Sequence, residues 1–143
     1  MIGLIISGHL NFASGMESAV KAIAGEQENM VFIDFVETLS PGELEQQMHD
    51  AMNAMECEQV VFLVDLAGGT PCNRAMAIMM QNQSVEVLAG VNLPMIVNAA
   101  LERDDVSIGE LLAILREIGI SSIQDVREQL SMLSEPENEE DGL

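Results

Sequence analysis

LIISGHLNFASGME, residues 4–17, carries an apolar run straight into Gly8-His9 and then into a helix-start pattern. A continuous apolar segment of strand length suits a strand covered on both faces, as in a parallel sheet. After it, Ser14 and Glu17 stand at capping-box spacing, Met16, Ala19, Val20 and Ile23 form a stripe of helical period, and Gly25 supplies a stop. The stretch therefore reads as strand, histidine, helix.

The same alternation continues along the chain. Strands are expected at Ile2–Ser7, Met30–Phe35, Gln59–Asp65 and Val85–Ala89. Ser40, Pro41 and Glu43 open a second helix with Leu44, Met48, Met52 and Met55 inward. A third helix starts near Pro71 with Ala75, Ile78 and Met79, a fourth near Pro94, and a fifth runs from a Ser107–Glu110 box to Gly119. Ser121–Val126 reads as a short fifth strand. Alternating strands and helices predict an α/β fold with a mostly parallel sheet and helices on both faces. The methionine-rich faces read as core filling.

At 143 residues and 48% hydrophobic content the chain is one domain with a sizeable core, expected over 1–133. The ending SEPENEEDGL, residues 134–143, holds five carboxylates and reads as a solvated, disordered acidic tail. The first apolar run is too short for a membrane span and lacks the flanks of a signal peptide. Cys57 and Cys72 have neither metal-site nor disulfide-framework spacing, which fits a reducing, cytoplasmic setting. A net charge of −19 repels nucleic-acid phosphate and anionic lipid, and it would steer a basic protein partner.

Two corners carry chemistry. In open parallel sheets ligands gather beyond the carboxyl ends of strands, which is where His9 stands. A second corner, FLVDLAGGTP at 62–71, ends the third strand with Asp65 and continues into Gly68, Gly69 and Thr70. If strand order reverses between the first and third strands, these corners become neighbours. A histidine that carries a phosphoryl group needs one ring nitrogen with a free lone pair, so the other must hold the proton, and a carboxylate accepting that N–H fixes the tautomer. Asp65 suits that task. Gly68 and Gly69 would let backbone N–H groups approach phosphoryl oxygens, with the Thr70 hydroxyl and the helix N-terminus adding donors.

Each feature also has a structural reading: His9 as a turn residue, Asp65 as a cap, and GGTP as loop punctuation before a helix. His49, beside the stripe of the second helix, reads as a surface residue. No GxSxG elbow, P-loop or GxGxxG occurs, and two histidines without a cysteine cluster make no metal site, so neither cofactor nor metal is expected.

GHLNFASGME, GEQENMVFIDF, VVFLVDLAGGTPCNRA and VEVLAGVNLPM with LERDD, in that order over about residues 1–126, resemble the EIIA component of the mannose-type family of the bacterial phosphoenolpyruvate:sugar phosphotransferase system. The resemblance implies a carrier that takes phosphate from HPr onto His9 and passes it to an EIIB component, which serves sugar uptake through membrane EIIC and EIID partners. It implies Asp65 as the hydrogen-bond partner and Thr70 near the phosphoryl oxygens. It also implies a three-layer α/β/α fold of strand order 2-1-3-4, in a homodimer that exchanges a further C-terminal strand, for which Ser121–Val126 is the candidate. Cys72 departs from the aromatic residue frequent there, at a surface that partners would meet. The short tail, in place of a linker to a fused EIIB, implies a free-standing EIIA. Two other classes compete: a regulatory module of the same fold that senses phosphorylation without onward transfer, and a flavodoxin-like domain that binds a small anion at the glycine corner.

Overall fold

The computed structural model describes residues 1–133, and the acidic segment 134–143 lies outside the described residues. Four strands, β1 (Gly3–His9), β2 (Met30–Phe35), β3 (Val60–Val64) and β4 (Val85–Ala89), form one parallel sheet in the order β2-β1-β3-β4. Between and after them come α1 (Phe12–Ala24), α2 (Pro41–Ala54), α3 (Thr70–Gln81), α4 (Leu93–Glu102), α5 (Ile108–Ser121) and α6 (Val126–Leu133).

Side chains alternate across the sheet, so each strand feeds two cores. Leu4, Ile6, Val61 and Leu63 pack with Val20 of α1, Ile96 of α4 and Leu111 and Leu115 of α5. On the other face Ile5, Ile33, Phe62 and Val64 pack with Leu44 and Met48 of α2 and Ala75 and Ile78 of α3. The result is the expected three-layer α/β/α arrangement. β1 and β3 are buried along nearly their whole length, as their unbroken apolar runs require.

Arg103, just past α4, is a buried cation 2% exposed. Its guanidinium donates to the carbonyls of Ile2, Glu28 and Asn29, which ties the chain start to the loop before β2. Burial lowers its pKa from the ordinary arginine value.

Three readings need correction. β1 begins one residue later than expected and runs through His9, because His9 is paired in register with Phe35 of β2. α1 starts at Phe12 after an Asn11 N-cap, and Ser14 with Glu17 is not its capping box. The Ser14 amide instead donates 2.9 Å to Oδ1 of Asp34, so a carboxylate from the neighbouring strand supplies the cap that local sequence does not. Ser121–Val126 is not a strand: α5 closes through Ser121, and Asp125 opens α6, receiving the Glu128 amide on its side chain and the Gln129 amide on its carbonyl. Extended backbone there would need a neighbouring strand, whereas the Asp125 cap satisfies a helix start locally.

Candidate active site

β1 and β3 lie side by side, with Ser7 opposite Val64. The chain leaves β1 toward β2 and leaves β3 toward β4 on the other side, so the crevice at their carboxyl ends is the switch point of the sheet. His9 ends β1 and Asp65 follows β3 directly. The Asp65 amide donates 3.3 Å to the Ser7 carbonyl, which extends the ladder by one more bond and aligns the two residues.

Asp65 uses a single oxygen for two contacts. Oδ2 accepts the His9 backbone N–H at 2.9 Å and lies 2.8 Å from ring Nδ1. The same atom thereby fixes both the main chain and the imidazole, and Nε2 is left as the outward nitrogen. The other oxygen, Oδ1, is buried and accepts no hydrogen bond among the described residues. The carboxylate side chain is 13% exposed and the histidine 43%, so the acid is sheltered while the imidazole meets solvent.

The ring is walled on two further sides. Phe35 meets it edge-on, with centroids 6.2 Å apart at 70°. Gly69, the N-cap residue of α3, lies against its outer edge: a Cβ there would stand 2.6 Å from Cε1 and 3.2 Å from Nε2. No side chain caps α3, and its N-cap residue Gly69 stands beside the imidazole, so the N-terminal end of the helix lies next to the ring without a capping side chain. Behind the histidine, a Cβ on Gly8 would meet the Phe12 ring at 2.5 Å and the Asp65 carboxyl carbon at 2.9 Å. Leu10, immediately after His9, holds φ +49, and its amide donates 2.9 Å to the Phe35 carbonyl. A non-glycine residue in this region is a strained corner, maintained here by the β2 contact.

The expected site residues therefore divide. His9, Asp65 and Gly69 are brought into direct contact. Gly68 has φ +82 and open space around a hypothetical Cβ, so it forms the turn rather than a close approach. The Gly69 amide donates 3.3 Å to the Leu66 carbonyl, so this N–H closes the turn and the missing side chain is what faces the ring. Thr70 is the first residue of α3. Gly8, Phe12 and Phe35 join the site beyond the residues expected from the sequence; the glycine before a strand-end histidine is the available signal for the first of them.

Leu10 and Leu66, more than half exposed, and Val36 give this end of the sheet an apolar rim. A groove of about 310 Å³ beside the histidine is lined by His9, Leu10, Phe35, Val36, Glu37 and Leu39. A larger cleft of about 650 Å³ lies at the amino ends of the strands, around Arg103 and Glu56, away from His9. Among the described residues no three metal-ligating side chains converge. His49 is half-exposed and pairs with Glu45 at 3.6 Å, and Cys72 is half-buried against the core under α2 and α3. Among the described residues, no helix is long and apolar enough to cross a membrane.

Residues 3–115 match the EIIA-man family, described as PTS system fructose IIA component. The chain is 33% identical over 131 residues to the fructose-specific EIIA component of the PTS system of Bacillus subtilis, covering 91% of this chain and 90% of that one. It is 36% identical over 132 residues to the mannose-specific EIIAB component of Escherichia coli K12, spanning 88% of this chain but only 40% of that protein. The crystal structure of the phosphotransferase system component EIIA from Streptococcus agalactiae superimposes with a TM-score of 0.84 at 30% identity, covering 90% of this chain and 99% of that one.

Proposed function

The chain belongs to the EIIA-man family of PTS system IIA components, and from that footing we propose that it is a phosphohistidine carrier in sugar uptake, loaded on His9 by phospho-HPr and unloaded to an EIIB component. The observation that carries this reading is the double contact of Asp65 Oδ2 with the His9 backbone and Nδ1.

The chemistry follows from that contact. With its proton on Nδ1 and shared with Asp65, the neutral imidazole keeps a lone pair on Nε2 directed outward. Nε2 attacks phosphorus as the phosphorus–nitrogen bond to the HPr imidazole breaks in line. The Nδ1 proton stays in place, so the phosphorylated ring carries a positive charge beside the carboxylate. Asp65 retains an unpaired oxygen, and its negative charge stabilises that ring. Charge on the equatorial phosphoryl oxygens develops in front of the uncapped N-terminus of α3, with the Thr70 hydroxyl as a further donor. Gly68 shapes the turn and Gly69 clears the path to Nε2. Transfer to EIIB runs the same step in reverse.

Partner docking suits the surroundings. Leu10, Val36 and Leu66 supply an apolar rim that excludes water on contact, while the strongly acidic chain steers a basic partner surface. The reading puts the protein in the cytoplasm, without cofactor, passing phosphate toward membrane EIIC and EIID through EIIB. It also takes the protein as a homodimer: β4 pairs only with β3 among the described residues, and exposed Ile120 and Ile123 flank a groove of about 320 Å³ at that edge.

Incubation with phosphoenolpyruvate, enzyme I and HPr tests the proposal. Acid-labile phosphate on the wild type, none on His9→Gln, and discharge on adding EIIB are the expected results. An unlabelled wild type, or a fully labelled His9→Gln, overturns it, and labelling without discharge would favour the phosphorylation-sensing module.

A further inference from the structure

Asn73 lies in the first turn of α3, and its side chain reaches back into the glycine loop, where Nδ2 donates to the Gly68 carbonyl at 3.2 Å. The same Gly68–Gly69 peptide is held at its other end by the bond from the Gly69 amide to the Leu66 carbonyl. Both polar ends of one peptide are thus tied. It needs tying, because Gly68 at φ +82 has open space around it and no side chain to resist rotation. The Cα that follows this peptide is the one on which an added Cβ would stand 2.6 Å from Cε1 of His9.

We infer that Asn73 is a positioning residue for phosphoryl transfer: its amide clamps the peptide that sets the outer wall of the imidazole and the mouth of α3. This rests on His9 being the carrier. The residue type matters, since the contact requires a donor aimed at a carbonyl from the first helical turn. Aspartate has the same shape but turns an acceptor toward that carbonyl, and alanine leaves the peptide free. Release of the peptide moves Gly69 relative to the ring, and in-line transfer is sensitive to ångström-scale displacement of the reacting atoms.

The test compares full-length wild type with Asn73→Asp and Asn73→Ala in single-turnover transfer from labelled phospho-HPr, with NMR of the His9 ring and of Gly69 amide exchange. The aspartate variant keeps the side-chain volume and puts an acid where a helix N-terminus favours one, so it decides alone if the alanine variant melts. Expected are transfer slowed about tenfold to a hundredfold, faster Gly69 exchange and shifted imidazole resonances. Transfer within about twofold of wild type with unmoved imidazole resonances, whatever the melting temperature, overturns the inference and leaves Asn73 a structural residue. A wild type that takes no label would sink the carrier reading, a distinguishable outcome.

Discussion

One oxygen of Asp65 holds His9 at two points, 2.9 Å from its backbone nitrogen and 2.8 Å from Nδ1. An asparagine oxygen in the place of Oδ2 can accept both bonds, but its NH2 then fills the Oδ1 position, buried and without an acceptor among the described residues, and the negative charge that stabilises the phosphorylated ring is gone. Asp65→Asn should therefore fold with some loss of stability while transfer from phospho-HPr slows roughly a hundredfold or more. Single-turnover labelling checks it; an unchanged rate would refute the assignment.

Adjacent glycines should respond differently to the same substitution. Gly69 has φ −79, an ordinary conformation, so Gly69→Ala adds no backbone strain and only drives a methyl against His9. It should abolish labelling with little loss of stability. Gly68→Ala meets no neighbour but must hold φ +82, which costs about 1–2 kcal/mol and lowers the melting temperature while labelling persists. Thermal melts and phosphorylation of both variants check the pair, and equal behaviour of the two would contradict it.

Legibility in the sequence followed the locality of the physics. The edge strands Met30–Phe35 and Val85–Ala89 match their expected bounds, whereas the buried strands β1 and β3 are legible as apolar runs but end where register with their neighbours puts them, one or two residues from the expected limits. The Ser107–Glu110 box forms as expected, and Ser40 with Glu43, expected as N-cap and acidic first turn, closes a second box within four residues. The expected Ser14–Glu17 box at α1 does not form, because the carboxylate that accepts the Ser14 amide is Asp34, twenty residues away on β2. Likewise His9 and Asp65 were visible as two corners, but their meeting depends on strand order, and the walls built by Phe35 and Gly8 depend on register. At Ser121–Val126 apolar residues without a strong period fit either strand or helix.

Those two boxes predict a pH response. Backbone and hydroxyl groups of Ser40 hold the Glu43 carboxyl below its ordinary value, and Ser107 does the same for Glu110. A folded-state pKa below the unfolded one means that the stabilisation is fully present above the ordinary glutamate range and is lost as pH falls through the lowered folded value. A Glu43→Gln, Glu110→Gln double variant should thus be less stable than wild type near neutrality, and the gap should close on acidification. Urea melts at several pH values decide it, run in about 0.5 M salt to screen the self-repulsion of so acidic a chain. A gap that stays constant with pH would show that the boxes hold no differential charge.

The dimer proposal rests on apolar surface that the single chain leaves wet. α6 buries none of its residues, yet Val126, Leu130 and Leu133 fall at helical spacing on one face, and Ile123 just before it is 80% exposed. A second copy covering this face would bury Ile123 and Leu130, each contributing about 1.5–3 kcal/mol from transfer out of water. Loss of both contributions from each of the two copies weakens association by roughly ten-thousandfold or more, since every 1.4 kcal/mol is tenfold. Wild type should therefore sediment at twice the 15.5 kDa chain mass, and Ile123→Asp with Leu130→Asp should sediment as the monomer. His9 lies at the carboxyl end of β1, inside the sheet rather than on α6, so the monomeric variant should still take label from phospho-HPr. A dimer that survives both substitutions would mean that the copies meet through another face.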